Sequence, residues 1–363
     1  MKVTPKIKRN LARIFPFGII WLITGWVFLL TEELVSGHRN LNPETAVNLT
    51  LPVFLFASIA VATVGWLVGL TELVFFEKRF RNYGFSKKVA LKFLIYLLVM
   101  LVVMMVTFPI AESIETGLPI YHGQVINKTG SFFGSLTFLN TALQLSFQLL
   151  LSLIYSAVSE SLGHQVLLNF ITGKYHTPQQ ERRIFMFLDM KDSTTIAEQL
   201  GHIKYFKLLR DYYDIMSDAI INSYGEVYQY IGDEVVITWP ADKGFEYNHC
   251  IQCFNEIKQC LQSKAPWFHQ QFGVVPDFKA GLHVGEVTAG EVGALKKEIM
   301  FTGDVLNTTA RIQGLCKEYQ TDLIVSQELL EGLGNPDAIE SQFIGPLQLK
   351  GKKIPVALYA VKV

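Results

Sequence analysis

"VYQYIGDEVVITW", residues 227–239, is two short runs of β-branched and aromatic residues joined at Ile-Gly-Asp-Glu. It reads as a β-hairpin with an acidic pair, Asp233 and Glu234, at the turn. Gly-Asp alone makes a good turn for conformational reasons, so the pair needs company elsewhere in the chain before it means chemistry.

Working outward, the pattern alternates. "RRIFMFLDM" (182–190) is a strand run ending at Asp189, and "STTIAEQLG" (193–201) is helical. "HIKYFKLLRDYYDIMSDAIINSYG" (202–225) is a second helix, with Phe206, Leu209, Tyr213, Met216 and Ile220 at three-four spacing. After the hairpin come a helix near 250–261 and strand runs "FKAGLHVGEV" (278–287) and "EIMFTG" (298–303). A helix "VLNTTARIQGLCKEY" (305–319), a strand "DLIVS" (322–326) and an antiparallel pair within 343–361 complete the series. Strands interleaved with helices and hairpins predict an α/β or α+β sheet domain from residue 180 to 363 with one covered face.

The rest of the chain is different. The 363 residues carry no net charge and are 50% hydrophobic, with a positive mean hydropathy unusual for a soluble chain of this length. The excess sits in four apolar runs, 14–30, 51–71, 89–111 and 132–156, each near or above the length that crosses about 30 Å of hydrocarbon as a helix. No small-residue cleavage site follows the first run, which therefore reads as a span and not as a signal peptide. Residues 1–156 are expected to form an all-α four-helix transmembrane bundle in contact with the lipid bilayer.

Lys2, Lys6, Lys8, Arg9 and Arg13 precede the first span, and "EKRFRNYGFSKK" (77–88) separates the second and third. By the positive-inside rule both termini and the soluble domain are cytoplasmic, in a plasma (inner) membrane. The outer loops carry Glu32, Glu33, Glu44, Glu112 and Glu115 and are too short for folded sensor domains. On the fourth span Thr141, Gln144, Gln148, Ser152 and Tyr155 share one face. That polar face suits hydrogen bonding within the bundle, or a contact between protomers, or a ligand site. Residues 157–179 form a linker in which Val158, Leu162, Val166 or Leu167, and Phe170 or Ile171 approximate an apolar seam, as in a short coiled coil. Of the four cysteines, Cys250, Cys253 and Cys260 share a helix face with Ile257, and Cys316 stands apart. "HCIQC" lacks a second Cys pair, so a reduced buried face is expected in place of a metal site.

Two carboxylates, Asp189 at the end of one central strand and Asp233 at a Gly turn of its neighbour, suit two hard divalent cations holding a triphosphate. "FTGDVLNTTAR" (301–311) adds a helix with Asp304 placed to cap it and Asn307 and Arg311 one turn apart. An amide and a guanidinium on one face suit a sugar and the charge developing at phosphorus.

In this combination and order, residues 180–363 resemble the class III nucleotidyl cyclases. The resemblance implies a ferredoxin-like α+β catalytic domain that forms a 3′,5′-cyclic nucleotide and pyrophosphate in a head-to-tail homodimer. It gives Asp189 and Asp233 two Mg²⁺ or Mn²⁺ ions, and Asn307 and Arg311 the ribose and the pentavalent phosphorus. Through "LKGKK" (349–353) it gives Lys352 a phosphate contact, and Thr194 matches a further phosphate-side position. Base selection falls to Gln229 and Met300, where adenylate cyclases generally carry Lys with Asp or Thr and guanylate cyclases Glu and Cys. A Gln amide donates or accepts and a thioether accepts only weakly, so these two residues fit either purine; ATP is expected because adenylate cyclases are the commonest members of this build.

Lys191, Asp192 and Ser193 stand where the family often has Gly and Phe, and Glu286 where some members have a phosphate-binding Arg. "QYIGDEVVI" also resembles the diguanylate cyclase signature, but Ile231 and Val235 replace its first Gly and its Phe. The alternatives are a guanylate cyclase, or an inactive nucleotide sensor coupled to a membrane receptor. A nucleic-acid partner is not expected.

Overall fold

The computed structural model describes residues 4–39, 47–76, 79–80, 83–334, 339–349 and 354–362. Its chain divides into two compact units, Lys8–Leu168 and Asn169–Val363 with Met1–Ile7.

In the first unit, four helices are long and apolar enough to cross a membrane: α1 (Pro5–Arg39), α2 (Leu51–Thr71), α3 (Phe85–Thr116) and α5 (Leu136–Leu162). The run expected to begin the fourth span at residue 132 is divided. Residues Gly123–Phe133 form a separate helix, α4, and Ser135 caps α5 by accepting from the Phe138 amide. Close packing of α1 on α2 comes from Gly65 and Gly69, four apart, where an added Cβ would meet Trp21 at 2.8 Å and Phe17 at 2.9 Å. The polar face of α5 turns inward: Gln148 and Ser152 are buried, and Trp21 Nε1 donates to Ser152 Oγ at 2.7 Å. For Ser152 at least, hydrogen bonding within the bundle explains the face.

At the end of α2 the helix widens into one π-type turn, Glu72–Phe76, and there Glu72 forms an ion pair with Lys92 of α3. Both side chains are buried, and Tyr96 and Ser156 each donate to the Glu72 carboxylate at 3.1 Å. A buried pair is favourable only while both charges and their hydrogen bonds are present. Lys92→Met is therefore expected to destabilise the bundle by about 3–5 kcal/mol, while Lys92→Met with Glu72→Gln costs much less. Thermal unfolding in detergent compares the two, and a single variant no worse than the double one removes the argument.

Gly163, with φ +86°, separates α5 from α6 (His164–Thr172). The expected linker seam is thus shared between two helices and not continuous along one.

The second unit is built on an eight-stranded mixed sheet: β1 (Gln179–Met190), β2 (Glu226–Ile231), β3 (Glu234–Pro240), β4 (Phe278–Val292), β5 (Glu298–Thr302), β6 (Leu323–Ser326), β7 (Ser341–Leu347) and β8 (Val356–Val361). Strand order is β2-β3-β1-β4-β6-β8-β7, with β5 paired to the far part of β4. Among the described strands, β4 and β6 alone run parallel. From Ile184 to Leu188, β1 is apolar without alternation because it is central and covered on both sides. Ile184, Met186 and Leu188 enter a core with α8 (His202–Asn222, after the short α7, Ser193–Leu200) and the helix His249–Ser263. Phe185 and Phe187 enter another with Tyr175, Val287, Phe301 and Val305. The expectation of one covered face is therefore corrected. The second face carries the helix Asp304–Leu315, seated where Gly281 and Gly285 of β4 have no side chain to hold it off.

Two further expectations shift. The buried stripe of α8 is Leu208, Tyr212, Met216, Ala219 and Ile220, while Phe206 is 70% exposed, so the three-four seam read from sequence lies along one edge of the buried arc. Cys250, Cys253 and Ile257 are fully buried as expected, all four cysteines are free, and Cys260 is half-buried.

Candidate active site

The helices of this unit, in chain order after α8, are α9 (Ala241–Phe245), α10 (His249–Ser263), α11 (Ala265–Phe272), α12 (Asp304–Leu315) and α13 (Gln327–Gly332). Asp189, next to last in β1, stands between Glu234 of β3 and Lys279 of β4 in the strand register. Strand alternation turns its side chain to the face bearing α12. The β2–β3 hairpin closes from Ile231 to Glu234 over Gly232 and Asp233, with Gly232 at φ +65°, a conformation open to glycine at little cost. The Tyr213 hydroxyl donates to the Gly232 carbonyl at 2.9 Å and so ties the turn to α8.

Asp189 and Asp233 come together at this end of the sheet. Burial, and then the Asp233 carboxylate, raise the Asp189 pKa above the ordinary aspartate range, while Lys279, 3.4 Å from Asp189 Oδ2, pulls it back. Burial, Asp189 and Asp233 push Glu234 up to about 7. Carboxylates crowded so that Asp189 and Glu234 resist ionisation are the donor set that a hard divalent cation relieves. The residues present fit Mg²⁺ or Mn²⁺.

Asn307 and Arg311 lie one turn apart on α12, Asn307 exposed and Arg311 half-buried. Arg311 Nη1 is enclosed without a hydrogen-bond partner among the described residues. Asp304 does not cap the helix: Gly303 is the cap residue, and Asp304 occupies the first turn, within 3.4 Å of the Thr308 hydroxyl. There its charge still complements the helix dipole. The residue of α12 that meets Asp189 is Gln313, whose Nε2 donates to Oδ2 at 3.2 Å. At about 100° per residue, Gln313 stands about 200° around the helix from Arg311 and about 240° from Asn307. The structure therefore brings Asp189 and Asp233 together and sets Asn307 and Arg311 on a different side of α12 from the residue that meets Asp189.

Gln229 is exposed on β2 and Met300 is 38% exposed on β5. Their neighbours Tyr228 and Phe301 are in contact, with ring centroids 5.1 Å apart and the Phe301 amide donating to the Tyr228 hydroxyl at 3.4 Å. That contact joins β2, which carries Gln229, to β5, which carries Met300. Thr194 is exposed in the first turn of α7, and Glu286 is exposed on β4. Lys352 lies outside the described residues. Sequence reading missed Gln313 and Lys279, although each is a polar residue inside an apolar stretch, "RIQGL" and "DFKAGL".

Comparison with known proteins identifies the family of the second unit. The family described as "Adenylate and Guanylate cyclase catalytic domain" matches residues 176–362. Adenylate cyclase 2 of Rhizobium meliloti (strain 1021) is 33% identical over 235 residues, covering 65% of this chain and 64% of that protein. The adenylate cyclase of Anabaena cylindrica is 24% identical over 252 residues, covering 65% of this chain and 48% of that protein. The chain thus spans less than two thirds of the length of either relative. Among solved structures, a bacterial light-regulated adenylyl cyclase aligns with a TM-score of 0.52 at 21% identity, covering 62% of this chain and 64% of that one, a likeness of fold. With more than half of its residues matched, the chain belongs to the adenylate and guanylate cyclase catalytic domain family, the class III nucleotidyl cyclases.

Proposed function

We propose that this chain is a membrane-anchored adenylate cyclase that converts ATP to the 3′,5′-cyclic monophosphate and pyrophosphate as a homodimer. The observation that carries the reading is the split of the machinery. Asp189 and Asp233 converge at one end of the sheet, while Asn307 and Arg311 stand on another side of α12 from the residue that meets Asp189, with an enclosed guanidinium nitrogen of Arg311 left without a partner among the described residues. A second copy supplies what each half lacks.

In this reading Asp189 and Asp233 hold two Mg²⁺ or Mn²⁺ ions, which when bound supply positive charge to acidify the ribose 3′-hydroxyl and to neutralise the triphosphate. Asn307 orients the ribose, and Arg311 meets the charge that grows at the α-phosphorus during in-line attack. Thr194, at a helix N-terminus, and Lys352 take the phosphates. Residues 1–156 anchor the enzyme with both termini cytoplasmic, residues 157–179 link, and residues 180–363 catalyse. The names of the relatives favour ATP, as does the frequency of adenylate cyclases among chains of this build.

An assay of the purified full-length protein with Mn²⁺ and each of ATP, GTP, CTP and UTP, resolving cyclic mononucleotides from dinucleotides, tests the reading. Cyclic AMP supports it; cyclic GMP moves the assignment to a guanylate cyclase; no product from any of the four, with the dimer intact, favours the sensor alternative. If Gln229 and Met300 face the base, Gln229→Lys with Met300→Asp raises the ATP-over-GTP ratio of kcat/KM about tenfold, the worth of one hydrogen bond of about 1.4 kcal/mol. An unchanged ratio removes these two residues from base recognition.

A further inference from the structure

We propose that Gln313 is a positioning residue for the metal site, holding the Asp189 carboxylate in its metal-binding orientation. The proposal rests on the cyclase reading of Asp189. Gln313 is 7% exposed and points from the underside of α12 toward the sheet. α12 lies so close to β4 that a Cβ on Gly281 would come within 2.4 Å of the Gln313 backbone nitrogen. With the helix seated there, the Gln313 amide reaches Asp189 Oδ2 at 3.2 Å.

Lys279, the register partner of Asp189 and two residues before Gly281 on the same face of β4, approaches the same oxygen at 3.4 Å. Both donors therefore fall on Oδ2, and no described side chain donates to Oδ1. A carboxylate gripped by one oxygen has its rotation fixed while the other oxygen stays free for a cation, the way outer-shell hydrogen bonds orient metal-ligating carboxylates. The two donors differ in kind. Lys279 brings charge, which competes with a cation for the carboxylate, whereas the amide of Gln313 fixes direction without adding charge. Because Asn307 and Arg311 share α12, this contact also holds the helix in register with the metal end of the sheet.

The test is Gln313→Met, which roughly keeps the volume and removes the amide that donates to Asp189. The full-length protein is titrated with Mn²⁺ and binding is read by electron paramagnetic resonance, alongside cyclase kinetics. Expected is an apparent Mn²⁺ affinity about tenfold weaker in both readouts, the lower end of what outer-shell changes cost, with kcat and the nucleotide KM restored at saturating Mn²⁺. Equal Mn²⁺ binding by wild type and variant, both folded, overturns the proposal and leaves Gln313 a packing residue. Should Gln313→Met fail to fold, Gln313→Asn, which keeps the amide but is one methylene too short, carries the same comparison. A wild type that binds no Mn²⁺ and makes no product overturns the cyclase reading itself, an outcome distinct from failure of the variant comparison.

Discussion

Asp189→Asn is expected to lower kcat by about 10³-fold or more, since in the proposed reading it removes a metal-binding carboxylate and with it several kcal/mol of transition-state charge stabilisation. The same change is expected to leave the melting temperature unchanged or to raise it. Burial and the neighbouring Asp233 hold the Asp189 pKa above its ordinary value, so at neutral pH the ionised carboxylate is less favourable in the folded than in the unfolded chain. A neutral amide removes that penalty and still accepts from Gln313 through its remaining oxygen. Activity and stability moving in opposite directions is the mark of a residue kept for chemistry at a cost to the fold. Thermal denaturation and cyclase assay on one preparation separate the outcomes. Full activity of Asp189→Asn removes the metal role, whereas lost activity with a lowered melting temperature makes Asp189 structural.

Much of this architecture is legible in the sequence because local pattern and tertiary role coincide there. The apolar run ending at Asp189 is a buried central strand, and the Gly-Asp turn is a two-residue hairpin loop needing a positive φ that glycine supplies. The first three apolar runs, and the fourth from Leu136, lie in helices of spanning length, and the Cys250–Ile257 face is a core face. What was illegible depends on which distant surfaces meet. Phe206 belongs to the same periodic pattern as the buried residues of α8, and only the position of the sheet decides that the arc centres on Leu208 and Tyr212. Gly281 and Gly285 look like weak points in a strand until α12 lies on them and covers a second face. Glu72 follows one apolar run and Lys92 lies inside another, and their pairing is visible only when α2 and α3 stand side by side. Asp304 has the composition of a cap, yet the helix starts one residue earlier and makes it a first-turn acid. At the site, Asp189, Asp233, Asn307 and Arg311 were read from residue type and order, while the direction in which α12 presents its two faces follows from the seat at Gly281.

That orientation leads to the second large effect. Arg311→Ala alone is expected to reduce kcat by about 10²–10³-fold or more, as loss of a donor aimed at developing charge does. Asp233→Asn alone is expected to be comparably inactive. Mixed and allowed to exchange subunits, the two inactive proteins are expected to recover about a quarter of wild-type activity: random pairing makes about half of the dimers mixed, and two-fold symmetry leaves each mixed dimer one intact site of two. The physical reason is the helix geometry. Gln313 is held against Asp189 on its own chain, and Arg311 and Asn307 stand about 160° and about 120° around α12 from it, on the sides that the proposed dimer assigns to a neighbour. If the four residues acted within one chain, each variant would remain broken in every pairing and mixing would restore nothing. Recovery that follows the fraction of mixed dimers, measured by tagging one variant and assaying the co-purified pair, distinguishes the two arrangements. It also bears on the unpartnered Arg311 nitrogen, whose missing hydrogen bond is then made by substrate held on the other subunit.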